Sequence, residues 1–149
     1  MAAPSFRLQS VLDYRSNLVD SARLQLAGLQ MRCTEEEQRL TQLRSNERDV
    51  IDQLHEKQRF VVSVPDVMRL NEHLNVLAAR INNQWSAVQR LRAEMDRARG
   101  TLLDLTKEMK ALEKLQERYA DEAARDSMRA ERIETGEVAA RQHQLAVAR

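Results

Sequence analysis

The sequence predicts an all-α fold: a long two-helix antiparallel coiled-coil hairpin with a longer C-terminal helix. Three observations carry this. Ala, Glu, Lys, Leu and Arg supply 75 of the 149 residues, against three Gly and two Pro, so half the chain is strong helix former and almost nothing interrupts it. Apolar residues then recur at alternating steps of three and four through two long stretches, the pattern of a coiled-coil seam. A single break separates the stretches. Aromatic residues make up only 3% of the chain, too few for a ring-rich globular interior, so a thin seam between helices is the expected core.

The first helix is expected over about residues 5–60. Its seam runs through Leu8, Leu12, Arg15, Val19, Ala22, Leu26, Leu29, Cys33, Glu36, Leu40, Leu43, Glu47, Val50 and Leu54, of which eleven of fourteen are apolar. The break follows in "RFVVSVPDVM". Phe60, Val61, Val62 and Val64 continue a helix poorly, and Pro65 is tolerated only in a first turn. Ser63 with Asp66 three residues on resembles a capping box, so the turn is expected at about 61–65.

The second helix is expected over about 66–140. Its seam passes from Val67 through Leu70, Leu74, Leu77, Ile81, Gln84, Val88, Leu91, Met95, Ala98, Leu102, Leu105, Met109, Leu112, Gln116, Tyr119, Ala123, Asp126 and Ala130 to Ile133, with seventeen of twenty apolar. A tight turn makes the pair antiparallel. Residues whose numbers total 127 or 128 are then expected to meet: Leu8 with Tyr119, Arg15 with Leu112, Glu36 with Leu91, Gln84 with Leu43. A register half a heptad away matches the seams equally well. Beyond about residue 120 the second helix has no partner in the chain and is marginal in water on its own. The whole chain, 1–149, reads as one coiled-coil domain.

Composition also bounds function. With 24 basic and 23 acidic residues, the chain lacks the basic excess that nucleic acid requires. Arg outnumbers Lys 20 to 4, which suits bidentate pairs with carboxylates along helix faces. Cys33 is the only cysteine, so no internal disulfide forms and a reducing, cytoplasmic location is expected. No apolar run reaches the length of a membrane span, and "MAAPSFRLQS" lacks the apolar stretch of a signal peptide. No direct membrane insertion is expected.

Nothing in the chain reads as an enzyme or a cofactor site. His55 and His73 lie near one level by the turn, without Cys or carboxylate at ligand spacing. Cys33, Met95 and Met109 are seam fillers. There is no phosphate loop, nucleophile elbow or paired-carboxylate motif. Gly28 and Gly100, at one level and off the seam, read equally as tolerated surface glycines and as a flex point.

Two terminal stretches are not explained by heptads. "FRLQSVLDYR" at residues 6–15 packs aromatic, apolar and basic residues into a chain end, where little apolar surface is needed. With Ala22, Leu26 and Ala27 it resembles the opening of the flagellar FliJ family: Phe, a basic residue, Leu and Gln, then Val-Leu and an Arg three residues later. The stretch "LEKLQERYADEAARDSMRAERIETGEVAARQH" resembles that family's other recurring segment, with Glu137, Val138, Ala139 and Arg141 in its acidic-hydrophobic-Ala element and later Arg. Thr135 and Gly136 depart from the family's more usual Leu-Asp pair, raising an end or a kink of the helix there.

The resemblance implies a soluble, stalk-like component and chaperone or escort of the flagellar type III protein export apparatus, non-enzymatic and without a cofactor. It implies docking on the hexameric flagellar export ATPase, contact with the export gate membrane protein, and dealings with export chaperones or substrates. It also implies peripheral association with the cytoplasmic face of the inner membrane at the flagellar base. The ATPase-facing end would comprise Phe6, Arg7, Leu8, Val11, Leu12 and Arg15, with Arg132, Glu137 and Arg141 from the second helix. The gate-facing surface near the hairpin tip would comprise Leu43, Asn46, Val50, His73, Leu77 and Gln84. The alternative is a self-assembling coiled-coil scaffold outside export.

Overall fold

A computed structural model describes residues 6–60 and 63–148. It is all-α, as the heptads require: α1 spans Gln9–Arg59 and α2 spans Val64–Val147, 51 and 84 residues long. The two helices pack against each other, and α2 is the longer. Of the expected turn, Val61 and Val62 lie outside the described residues.

Each helix boundary has a local cause. Ahead of α1, the Gln9 N–H donates to the Phe6 carbonyl at 3.0 Å and the Leu12 N–H to the Leu8 carbonyl at 2.9 Å, which winds residues 6–8 into the helix. Lys57 and Arg59 occupy the last turn of α1, where the helix dipole favours cations. At the start of α2 the Ser63 hydroxyl donates to the Asp66 carboxylate at 2.7 Å, and the Asp66 N–H donates to the Ser63 carbonyl at 3.1 Å. This is a variant of the capping box: the side chains bond each other while the main chain closes a tight first turn. Pro65 falls in that turn, where its missing N–H costs nothing. At the other end α2 does not stop at Thr135 and Gly136 but runs on to Val147.

Two compact units divide the chain: Ser21–Leu102 is one, and Met1–Asp20 with Leu103–Arg149 is the other. In the Ser21–Leu102 unit the buried residues are Ala22, Cys33, Leu40, Val50, Leu77, Val88 and Leu91. All seven are positions of the expected seam. Leu77 and Val88 are essentially sealed, at 2% and 1% exposure, and burying one such side chain contributes about 1.5–3 kcal/mol. The polar seam residues do not face apolar ones as expected. Gln84 instead donates to Glu36, at 2.9 Å to its carbonyl and also to its carboxylate.

In the other unit Leu12 and Val19 are buried. Three side-chain pairs show the antiparallel sense: Phe6 with Tyr119, Gln9 with Gln116 and Arg15 with Glu108. The residue numbers total 125, 125 and 123, not 127 or 128, so the helices sit about half a heptad from the first expected register. The cause is the antiparallel layering of the seam. An a position of one helix packs level with a d position of the other, whereas totals of 127 set like positions level. From Ala124 to Val147 every residue of α2 is exposed, so the seam ends at Ala123.

Candidate docking surfaces

The aromatic and basic stretch at the front of α1 is held by the second half of α2. The Phe6 ring lies 5.7 Å from the Tyr119 ring at a tilt of 55°, an edge-biased arrangement favoured by ring quadrupoles. Phe6 is therefore half-buried by a partner in its own chain. Beside it a relay of side-chain amides runs across the helices: Gln116 Nε2 donates to Gln9 Oε1 at 2.7 Å, and Gln9 Nε2 donates to the Asp13 carboxylate at 2.9 Å. Arg15 reaches Glu108 at 2.5 Å. Leu12 points into the seam, while Arg7 is exposed and Leu8 and Val11 are 39% and 40% exposed.

Arg132, Glu137 and Arg141 are exposed on the uncovered stretch of α2. They do not join the Phe6 box. Arg132 is thirteen residues past Tyr119, about 20 Å along the helix at 1.5 Å per residue. Two surfaces result: a packed collar at Phe6–Arg15, and a bare helical extension beyond it.

The six residues expected toward the hairpin tip also separate by environment. Val50 and Leu77 are buried in the seam. Leu43 is half-buried, and Asn46 is half-buried while accepting from Gln42 at 3.0 Å. Gln84 is half-buried and occupied by Glu36. Only His73 is fully exposed. Nor are the six gathered at the tip, because Gln84 lies about 30 Å along α2 from Val64. Among the described residues, the exposed apolar ones closest to the turn are Phe60, Val64 and Met68, which seam reasoning passed over because none occupies a seam position.

Sequence reasoning also missed the cluster around Cys33. Its thiol, 4% exposed, donates to Glu37 Oε1 at 3.7 Å, and Arg92 donates twice to that oxygen, at 3.1 and 2.7 Å. Burial first, and the Glu37 charge and hydrogen bond second, hold the thiol above its ordinary value, with Arg92 opposing. A thiol kept protonated is a poor nucleophile, so the cluster is a packed and paired seam layer. Heptad position marks Glu37 and Arg92 as flanking residues. It does not reveal that they converge on one oxygen beside a cysteine.

Among the described residues no group of three or more His, Cys, Asp or Glu could hold a metal ion. No helix among them is long and apolar enough to cross a membrane.

A protein-family profile described as "Flagellar FliJ protein" matches residues 4–147. Among solved structures, the chain resembles CT670 from Chlamydia trachomatis, described as a YscO homolog. The two are 21% identical, with 98% of this chain and 99% of that chain covered and a TM-score of 0.48. No curated protein matches the sequence.

Proposed function

The chain belongs to the flagellar FliJ protein family, a non-enzymatic family of flagellar export components, and from that premise we propose that it docks on the hexameric export ATPase as a stalk. The observation that carries this is the 24-residue stretch of α2 from Ala124 to Val147, helical and wholly exposed. Most helical stability in proteins comes from packing an apolar face, so a partner that covers this stretch adds the packing and buried apolar area that it lacks within the chain.

In this reading Arg132, Glu137 and Arg141 make the distal contact. Arg7, Leu8, Val11 and the Arg15–Glu108 pair form the collar about 20 Å behind it. Phe6 and Leu12 act from within, fixing the collar through Tyr119 and the seam. The same reading assigns the exposed or half-exposed residues of the Ser21–Leu102 unit, Leu43, Asn46, His73 and Gln84, to contact with the export gate. Val50 and Leu77 supply the rigid backing. Peripheral association with the inner membrane and escort of chaperones or substrates follow from those contacts. Family membership lends no support to a scaffold outside export.

Binding to the export ATPase tests the docking end. Arg7, Arg132 and Arg141 substituted together with Glu should abolish binding while circular dichroism stays unchanged, because all three are exposed. Undiminished binding would remove the end assignment.

A further inference from the structure

We propose that the uncovered stretch of α2 pairs with the same stretch of a second copy of this chain, antiparallel and about a two-fold axis, through the face opposite the seam. The surface is Met128, Glu131, Thr135, Val138, Gln142 and Leu145. These are spaced three, four, three, four and three residues apart, which aligns them in one stripe. Met128, Val138 and Leu145 are 56%, 46% and 69% exposed.

The stripe is complementary to itself when reversed. Setting Met128 against Leu145 of the second copy sets Glu131 against its Gln142 and Thr135 against its Val138. Each contact then occurs twice, as a two-fold interface demands. The apolar residues meet apolar or methyl-bearing ones, and the buried-edge carboxylate meets an amide donor. On one flank the same register brings Glu134 beside Arg141 of the second copy, and Arg141 beside its Glu134. On the other flank Arg132 meets Ala139, so no like charges are opposed. Among the described residues neither Glu134 nor Arg141 forms an ion pair within the chain, which leaves both available.

The continuation of the seam on the other face does not offer this. There, reversed pairing would set Glu137 against Ile133, twice placing a carboxylate against an apolar side chain. Charge complementarity selects the opposite face and a second copy as its occupant. The pairing shares Arg141 and this stretch with the proposed ATPase contact, and it is tested on this chain alone, with no ATPase present.

Sedimentation of the full chain tests it. At high micromolar concentration the apparent mass should rise from 17.3 kDa toward twice that, and fall back on dilution. Glu134→Arg and Arg141→Glu should each return the protein to a monomer by opposing like charges. The combined E134R/R141E chain should recover the dimer, because the pair is restored across the axis. Glu137→Arg, on the seam face, should leave the dimer intact. A monomer at every concentration, failure of the combined variant to recover, or loss of the dimer with Glu137→Arg would overturn the proposal.

Discussion

The side-chain amide of Gln84 donates to both the carbonyl and the carboxylate of Glu36, so two polar residues of the seam satisfy one another between the helices. Glu36 is also held on its own helix by Arg39, at 2.9 Å. Each partner is half-buried, where an unpaired carboxylate or amide is costly to leave but a matched pair gains little over apolar packing. Such a pair contributes mostly to choosing one register among several.

That balance makes an asymmetric prediction for substitutions. Gln84→Ala should destabilise by about 1 kcal/mol, since Glu36 loses its cross-helix donor, lowering Tm by about 2–4 °C for a chain of this size. Replacing Glu36 and Gln84 together with Leu should raise Tm instead. The double variant should also lose register uniqueness, seen as doubled or broadened amide resonances near the site. A single sharp set of resonances in the double variant would remove the register role.

The Arg15–Glu108 pair is expected to act differently because it is wetter, with side chains 35% and 52% exposed. Exposed pairs of this kind are worth about 0.5 kcal/mol, and salt screens them. Glu108→Gln should therefore lower stability slightly in dilute buffer, and the difference from the parent chain should vanish near 1 M salt. Urea unfolding at two salt concentrations measures this. A salt-independent difference would place the effect in packing of the Arg15 stem.

The fold was legible because the heptad constrains which face is buried. From Leu12 to Leu54 on α1, and from Val67 to Ala123 on α2, every seam position is buried or half-buried. The failure of the seam after Ala123 was likewise visible in Ala123, Asp126 and Ala130, which are too small or too polar to hold a coil. Register was not legible, since sliding one helix by half a heptad leaves apolar residues facing apolar residues. Only specific side-chain pairs such as Phe6–Tyr119 and Gln9–Gln116 distinguish the two registers, and a one-dimensional pattern does not contain them. The candidate site divides the same way. The bare stretch carrying Arg132, Glu137 and Arg141 could be read from the thinning seam, but the burial of Phe6 could not.

Gly28 and Gly100 are a direct test of whether the helices need to bend in the Ser21–Leu102 unit. Neither has positive φ, both lie inside helices, and a Cβ at either would meet nothing within 4 Å. Alanine is then free of steric cost and removes the entropy that glycine loses on folding. Gly28→Ala and Gly100→Ala should each stabilise by about 0.5–1 kcal/mol and should add. If they also reduce partner binding, the two glycines serve as a flex point. If binding is unchanged they are tolerated surface positions.

Cys33 ties stability to alkaline pH. Its thiol is raised above 9.0 in the folded chain, chiefly by burial and then by Glu37, against the pull of Arg92. Unfolded, the thiol loses its proton from about pH 9, whereas the folded chain retains it to higher pH, so the native state binds more protons there. Stability from the neutral thiol is thus fully present below pH 9 and declines as pH rises above it. Cys33→Ala should remove this part of the slope, so the stability gap between parent and variant should narrow from pH 8 to pH 10.5. Alkylation by iodoacetamide supplies the kinetic counterpart: the folded chain should react more than ten-fold slower than the urea-unfolded chain at pH 8, because the thiolate is both scarce and inaccessible. Arg92→Ala removes the one group that lowers the thiol, so it should slow alkylation if charge controls reactivity. It should speed alkylation if the Arg92–Glu37 pair chiefly covers the sulfur. Equal rates for folded and unfolded chains would show that this layer of the seam opens freely.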